Sequence, residues 1–242
     1  MKLLAWNIRA GGGSRLAGIA AAIAGHAADV LVLSEYHGGA AGARLRATLH
    51  GLGYRHMTAA EPDAGRKGVL IAARNRLRDH GPVTEALPEP WKLVTAEIGG
   101  VHVVGVYMPN LLAKVPYWEA LLAHLAPRGA TPALAAGDFN TCRHFLDETG
   151  ATDRCAHFMD RVETIGFHDA WRRRHGTRIE PTWFSHRRNG FRLDHAFVSS
   201  GVPVRAVEYS QAERISGLSD HAAMRLSLGR RLVSGGEASA PV

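Results

Sequence analysis

The 242-residue sequence holds only two cysteines, Cys142 and Cys155. No disulfide scaffold is encoded, and a reducing cytoplasm is the expected compartment. Lysine is nearly as sparse, at positions 2, 67, 92 and 114, so arginine carries most of the net charge of +7. That balance favours a phosphate-bearing partner by long-range steering, although a GC-rich coding genome yields the same arginine bias. No apolar run reaches the roughly 18 residues of a membrane span. The opening "MKLLAWNIRAGGG" is too short for the apolar region of a signal peptide. There is no low-complexity stretch, no solenoid-length repeat and no Pro/Ser-rich linker. One domain over residues 1–230 is therefore expected, followed by a frayed tail of small and polar residues, 231–242.

What is present is a series of short apolar runs bounded by turn signals, the pattern of strands buried in a sheet. The best are "KLLAWNI", "DVLVLSE", "GVLIAAR", "KLVTAEI", "VHVVGVY", "PALAAGDF", "FRLDHAFVS" and "AAMRLSL". Helix-period stretches lie between them. "SRLAGIAAAIAGHA" sets Leu16, Ile19, Ala20 and Ile23 on one face, with Ser14 placed to cap its start. "AAGARLRATLHGLG", "VPYWEALLAHLA" and "RCAHFMDRVETIGF" are similar. Gly99-Gly100 between two apolar runs is a strong hairpin signal. Hairpins mixed with helical crossovers predict an α/β protein with mixed sheets.

The polar residues fall at the strand ends, where an apolar core could not hold them uncompensated. Asn7 ends the first run and Glu35 the second. Tyr107 to Asn110 ("YMPN"), Asp138 and Asn140 ("GDFN"), Asp194-His195 and Asp220-His221 ("SDH") mark the others. If these ends converge, Glu35, Asp138, Asp194 and Asp220 share one face with His221 and two amides. Four carboxylates in one cleft call for a neutralising cation, and hard oxygen donors select Mg²⁺ or Mn²⁺. A cation, a water nucleophile and a carboxylate-oriented histidine are the parts of phosphodiester hydrolysis. The glycines of "LLAWNIRAGGG" fit neither a G-x-G-x-x-G nor a Walker setting, and read as a flexible turn.

The ordered set "WN", Glu after the second strand, "Y-x-P-N", "GDFN", "R-L-D-H" and "SDH" resembles the endonuclease/exonuclease/phosphatase superfamily, the fold of deoxyribonuclease I and exonuclease III. The likeness runs from Lys2 to about Leu228, with the exonuclease III type as the nearest pattern. It implies a four-layer sandwich, two mixed sheets packed face to face with helices outside, complete as a monomer. By this resemblance Glu35 is the main cation ligand, aided by Asn7 and Asp220. Asp138 orients the attacking water, Asn140 holds a phosphate oxygen, and Tyr107 and Asn110 contact the scissile phosphate. His221, oriented by Asp194, stabilises the developing charge. Whether Asp138 or His221 takes the water's proton stays open.

One departure and one likeness bear on substrate. Arg9 stands where many abasic-site endonucleases carry an acid or amide; its fork suits a phosphate oxygen and not a cation. "PTWFSHRRNGFRLDHAFVS" resembles the exonuclease III-like stretch, in which Trp183 and Phe184 would stack on a base or sugar, or else be core. Arg187, Arg188 and Arg192 would line the backbone track or form a solvated turn. The basic segment "WRRRHGTR" is likewise either a phosphate contact or a solvated helix end. Cys142-x-His144 and Cys155-x-His157 hold four soft donors, but at a spacing of no common zinc module; a loop histidine and a buried thiol are preferred. The expected function is a Mg²⁺- or Mn²⁺-dependent nuclease acting on DNA. A phosphodiesterase for a small or lipid phosphoester is the alternative, and a silent binding module the third.

Overall fold

The computed structural model describes residues 1–63, 65–150 and 153–229; the expected tail lies outside them. Fourteen strands are found among these residues. In chain order they are β1 (Lys2–Asn7), β2 (Val30–His37), β3 (His56–Thr58), β4 (Lys67–Ala73), β5 (Leu77–Pro82), β6 (Leu93–Ile98) and β7 (Val101–Tyr107). There follow β8 (Ala133–Asp138), β9 (Phe167–Asp169), β10 (Trp183–Phe184), β11 (Gly190–Phe191), β12 (Asp194–Ser199), β13 (Val204–Ser210) and β14 (Ala223–Leu228). The helices are α1 (Leu16–His26), α2 (Gly39–Gly51), α3 (Val115–Leu125), α4 (His157–Thr164), α5 (Ala170–His175) and α6 (Ala212–Ile215).

Two six-stranded sheets form, in the orders β13-β14-β1-β2-β4-β3 and β5-β6-β7-β8-β12-β9, with β10-β11 as a separate small hairpin. Each sheet holds one parallel pair, β1 with β2 and β7 with β8, among antiparallel neighbours. The helices α1 and α3 supply the crossovers that parallel pairs require.

The apolar runs are continuous because both faces of each sheet are covered. Leu3, Val30, Val32, Val69 and Ile71 of the first sheet meet Val94, Val103, Leu134 and Ala136 of the second in a shared inner core. The alternate residues Leu4, Trp6, Leu31 and Leu33 face Ile19, Ile23, Leu45 and Leu49 of α1 and α2. Val104, Val106 and Ala135 face Trp118, Leu121 and Leu125 of α3 and Phe158 of α4. Each large side chain so buried contributes roughly 1.5–3 kcal/mol. The four layers anticipated from the resemblance are therefore present.

Gly99 and Gly100 join β6 to β7 with Ile98 opposite Val101, at φ 59° and 76°, the two-residue turn that needs glycine at both positions. Gly137 is needed for another reason: a Cβ there would sit 2.1 Å from the Val106 carbonyl oxygen, so β7 and β8 could not pair. Ser14 does not cap α1. A short 3-10 turn, Gly13–Arg15, precedes the helix, and no side chain caps either start. The run "FRLDHAFVS" divides: β11 ends at Phe191 in the small hairpin, and β12 starts at Asp194 in the sheet.

Candidate active site

The parallel pairs β1-β2 and β7-β8 end at one cleft of about 1100 Å³ between the sheets. Register aligns the polar residues. On the second sheet Tyr107 pairs with Asp138, and Asp138 with Asp194. On the first, Asn7 pairs with Ser34, and a bulge between Ser34 and Tyr36 turns Glu35 out of the ladder. Glu35 adopts φ 61°, a strained conformation for a residue with a Cβ. The Ser34 hydroxyl donates to the Val106 carbonyl at 3.0 Å and ties the two sheet ends together.

Glu35, Tyr107, Asn110, Asp138, Asn140, Trp183, Asp220 and His221 all line the cleft. His221 is buried and its Nδ1 lies 2.8 Å from Asp194 Oδ2, while its Nε2 stands 4.0 Å from Asp138 Oδ2. Burial alone would strip the proton from this imidazole. The charges of Asp194 and Asp138 outweigh burial and push its pKa up to about 10. Burial pushes Asp138 up to about 6, against the pull of His221 and with the added repulsion of Asp194. Asp138 Oδ1 accepts the Asn140 backbone N–H at 2.9 Å, and its Oδ2 accepts from Asn7 Nδ2 at 2.9 Å. Asn140 sits at φ 47° and donates its amide to the Met108 carbonyl at 2.7 Å.

The two oxygens of Glu35 are unequally engaged. Oε2 accepts from Lys67 Nζ at 2.5 Å and from the Ala10 N–H at 2.7 Å. Oε1 has only long contacts, 3.4 Å from Asn7 Nδ2 and 3.5 Å from the Tyr107 hydroxyl. Burial raises the Glu35 pKa, but the bonds from Lys67, Ala10 and Asn7 prevail and hold it below the usual carboxylate range. Tyr107 is pushed up by burial and by Glu35, so it remains a neutral phenol.

This donor set fits a hard divalent cation. Glu35 Oε1 has unused acceptor capacity, Asp138 and Asp220 line the same cleft, and Asp194 Oδ1 is buried without a hydrogen-bond partner. Asp138, Asp194 and His221 also offer donor atoms within 4.8 Å of one another. Asp194 is not part of the cleft lining, so the donor open to the cleft lies at Glu35.

One expectation changes in detail. Asn7 presents its amide nitrogen to Glu35 and Asp138, while its oxygen accepts the Arg9 N–H at 2.9 Å. An oxygen ligand from Asn7 would require the amide to turn over, and as placed it clamps the two acids together. Asp220 is exposed and accepts from Trp183 Nε1 at 3.3 Å. A bridge between Trp183 and His221 pins the small hairpin to the site.

Trp183 borders the cleft and is no core residue; Phe184 is 37% exposed, turned away under Arg214, whose guanidinium lies 4.4 Å from the ring centre. Arg9, Arg187 and Arg188 are exposed, on loops outside the cleft lining.

Arg192 corrects the sequence reading. It lines no backbone track but is fully buried, bonded to Asp147 at 2.7 Å and Asp169 at 2.6 Å, because two buried carboxylates demand a cation. Arg172, of the basic segment, is likewise held by Asp147 and by the Gly176 and Arg178 carbonyls. The four soft donors do not assemble either: His144 binds Glu148 at 2.6 Å, and His157 contacts the Arg154 carbonyl at 3.1 Å. The buried Cys142 is pushed up to about 12 by burial and the surrounding acids, the state of an inert thiol.

Sequence reasoning passed over three lysines. Lys67 bonds Glu35, Lys92 lies 4.2 Å from the Tyr107 ring centre, and buried Lys114 bonds the Asn140 carbonyl and Asp153. A lysine at a strand or helix start carries no local mark that separates it from a solvated one.

Fold and site together define a hydrolase of phosphoesters, built where two sheets end in acids, amides and a carboxylate-held imidazole. The chain belongs to the Endonuclease/Exonuclease/phosphatase family, whose profile matches residues 4–221. By sequence, no curated protein matches it at a significant level. Among solved structures it resembles a 3′-5′ exonuclease from Neisseria meningitidis, with TM-score 0.84 and 22% identity over 95% of this chain and 100% of that one. A Neisseria 3′ phosphatase bound to a product DNA hairpin gives TM-score 0.81 and 21% identity over the same shares. An AP endonuclease from Archaeoglobus fulgidus gives TM-score 0.82 and 20% identity, again over 95% and 100%. At these identities the likeness is one of fold.

Proposed function

We propose that this protein is a divalent-cation-dependent nuclease that hydrolyses phosphodiester bonds of DNA. The observation that carries the reading is the His221–Asp194 pair facing Asp138 across 4.0 Å, beside the half-engaged carboxylate of Glu35. Glu35 would hold Mg²⁺ or Mn²⁺, with Asp220 and a turned Asn7 as further ligands. When bound, the cation supplies positive charge to a phosphate oxygen.

The chain's own groups do the rest. Asp194 fixes the His221 ring so that Nε2 points into the cleft, where a protonated imidazole donates to the phosphate as negative charge develops. Asp138, held by Asn7 and the Asn140 N–H, accepts from the attacking water and aims it. Asn140, Tyr107 and Asn110 position the phosphate as donors. Trp183 offers a face to a base or sugar beside the scissile bond, and Arg9, Phe184 and Arg188 contact the strand farther out. The DNA-bound Neisseria phosphatase and the two nuclease neighbours support DNA over other phosphodiesters. No helix among the described residues is long and apolar enough to cross a membrane. The two buried, unpaired cysteines are in keeping with a reducing cytoplasm, the compartment we propose, and with a monomer as the working state.

One observation favours a second reading. Leu111 and Leu112, 83% and 52% exposed, give the cleft an apolar rim that would suit a lipid or other small phosphoester. A substrate panel separates the two. Purified protein with Mg²⁺ or Mn²⁺ is offered duplex DNA, abasic duplex, single strands, RNA and a phospholipid headgroup ester. Release of nucleotides or nicked strands supports the nuclease; turnover of the phospholipid alone would overturn it.

A further inference from the structure

We infer that Lys67 is a built-in counter-ion of the cation site, whose charge sets how tightly a divalent ion binds. The inference rests on the reading of Glu35 as the principal cation ligand. Lys67 opens β4 opposite His37, at the end of the sheet where the bulge presents Glu35. Its ammonium reaches Glu35 Oε2 at 2.5 Å, and the Ala10 N–H satisfies the same oxygen. Oε1 is left toward Asn7 and Tyr107 with contacts of 3.4 and 3.5 Å. One oxygen is thus saturated by the protein, and the other stays open to the cleft.

The placement of Lys67 is fixed from behind. Lys92 donates from Nζ to the Lys67 carbonyl at 3.2 Å and packs over the Tyr107 ring, so backbone and phenol share one buried anchor. The Lys67 side chain itself is 37% exposed, which leaves its ammonium free to shift without disturbing the core.

A divalent ion on Oε1 and the ammonium on Oε2 are like charges on one carboxylate. Their repulsion at this range weakens ion binding by about ten-fold even where water screens it. Without substrate, Lys67 offsets Glu35 and His221 offsets Asp194, which leaves Asp138 and Asp220 as the cleft's remaining carboxylates. An incoming phosphodiester adds negative charge that favours the cation, so the ion is held best when substrate is present. Lys67 touches no reacting atom in this scheme; it is a positioning residue that acts through Glu35.

The experiment is calorimetric titration of metal-stripped protein with MnCl₂, without DNA, on the wild type, Lys67→Met, Lys67→Arg and Glu35→Gln. Circular dichroism and thermal melting verify that each variant is folded, with Lys67→Gln as the substitute should Lys67→Met fail. The expected result is Mn²⁺ binding about ten-fold tighter in Lys67→Met, wild-type affinity in Lys67→Arg and loss of binding in Glu35→Gln. Equal or weaker binding by Lys67→Met, with Glu35→Gln still abolishing it, overturns the role of Lys67 and leaves the Glu35 site standing. Wild-type affinity in Glu35→Gln, or no binding by any folded variant, removes the Glu35 reading and the counter-ion with it.

Discussion

His221 Nδ1 sits 2.8 Å from Asp194 Oδ2, a bond between two buried side chains, one on β12 of the second sheet and one on the segment that leads into β14 of the first. It fixes which imidazole nitrogen faces the cleft. Asp194→Asn keeps the shape but removes the charge that sustains the imidazolium. The expected outcome is a fall in kcat of about 10²–10⁴-fold, with the fold intact. Steady-state kinetics on duplex DNA, alongside near-UV circular dichroism, checks it.

Trp183 and Phe184 are neighbours in sequence but face different surroundings. Trp183 lines the cleft, whereas Phe184 lies under Arg214 outside it. Trp183→Ala is expected to weaken single-stranded DNA binding by about ten-fold or more, and Phe184→Ala by much less. Fluorescence anisotropy with a labelled oligonucleotide measures both, using Ca²⁺ in place of Mg²⁺ to suppress turnover.

Arg192 joins Asp147 and Asp169 in the interior, and its guanidinium is what allows both acids to be buried. Burial opposes ionisation of Asp169, but Arg192 and His195 outweigh it and hold the carboxyl far below its usual range. Arg192→Met takes the fully buried cation from both acids and leaves Arg172 beside Asp147 and Arg143 beside Asp169, so a loss of about 3–5 kcal/mol is expected. Urea denaturation at pH 7 gives the number.

His102 and His124 face each other with their Nε2 atoms 2.8 Å apart, on β7 and α3. Burial, Arg128 and neighbouring imidazoles push both down to about 4 from an ordinary 6.5. Between those values the unfolded chain binds more protons than the folded one, so folding stability must fall as pH drops from about 6.5 toward 4. The contribution is fully present above pH 6.5. Urea midpoints at pH 7 and 4.5 should differ less in His124→Gln than in the wild type.

The site was legible in the sequence because its residues break the rule of their surroundings. Asn7, Glu35, Asp138 and Asp194 each follow or interrupt an apolar run where only a cleft could receive them. The Gly99-Gly100 hairpin was legible for a similar reason, since two adjacent glycines between strands have one efficient use. The edge strands β5 and β13 were not, because "LRDHGP" and "VRAVEYS" lack the continuous apolar pattern of strands covered on both faces. The roles of Lys67 and Arg192 were hidden for another reason: each is decided by acids distant in sequence. Lys67 lies 32 residues from Glu35, and Arg192 lies 45 from Asp147 and 23 from Asp169. Local pattern holds no trace of such pairings.

The central claim is that Glu35 and His221 serve one cation-assisted phosphodiester cleavage of DNA. Its most direct test is single-turnover cleavage of 3′-end-labelled duplex DNA by metal-stripped protein, before and after addition of Mg²⁺ or Mn²⁺. The account predicts no cleavage in EDTA, full cleavage on adding either ion, and rates lower by about 10²–10⁴-fold in both Glu35→Gln and His221→Ala. Cleavage that persists in EDTA, or a wild-type rate in either variant, would contradict it.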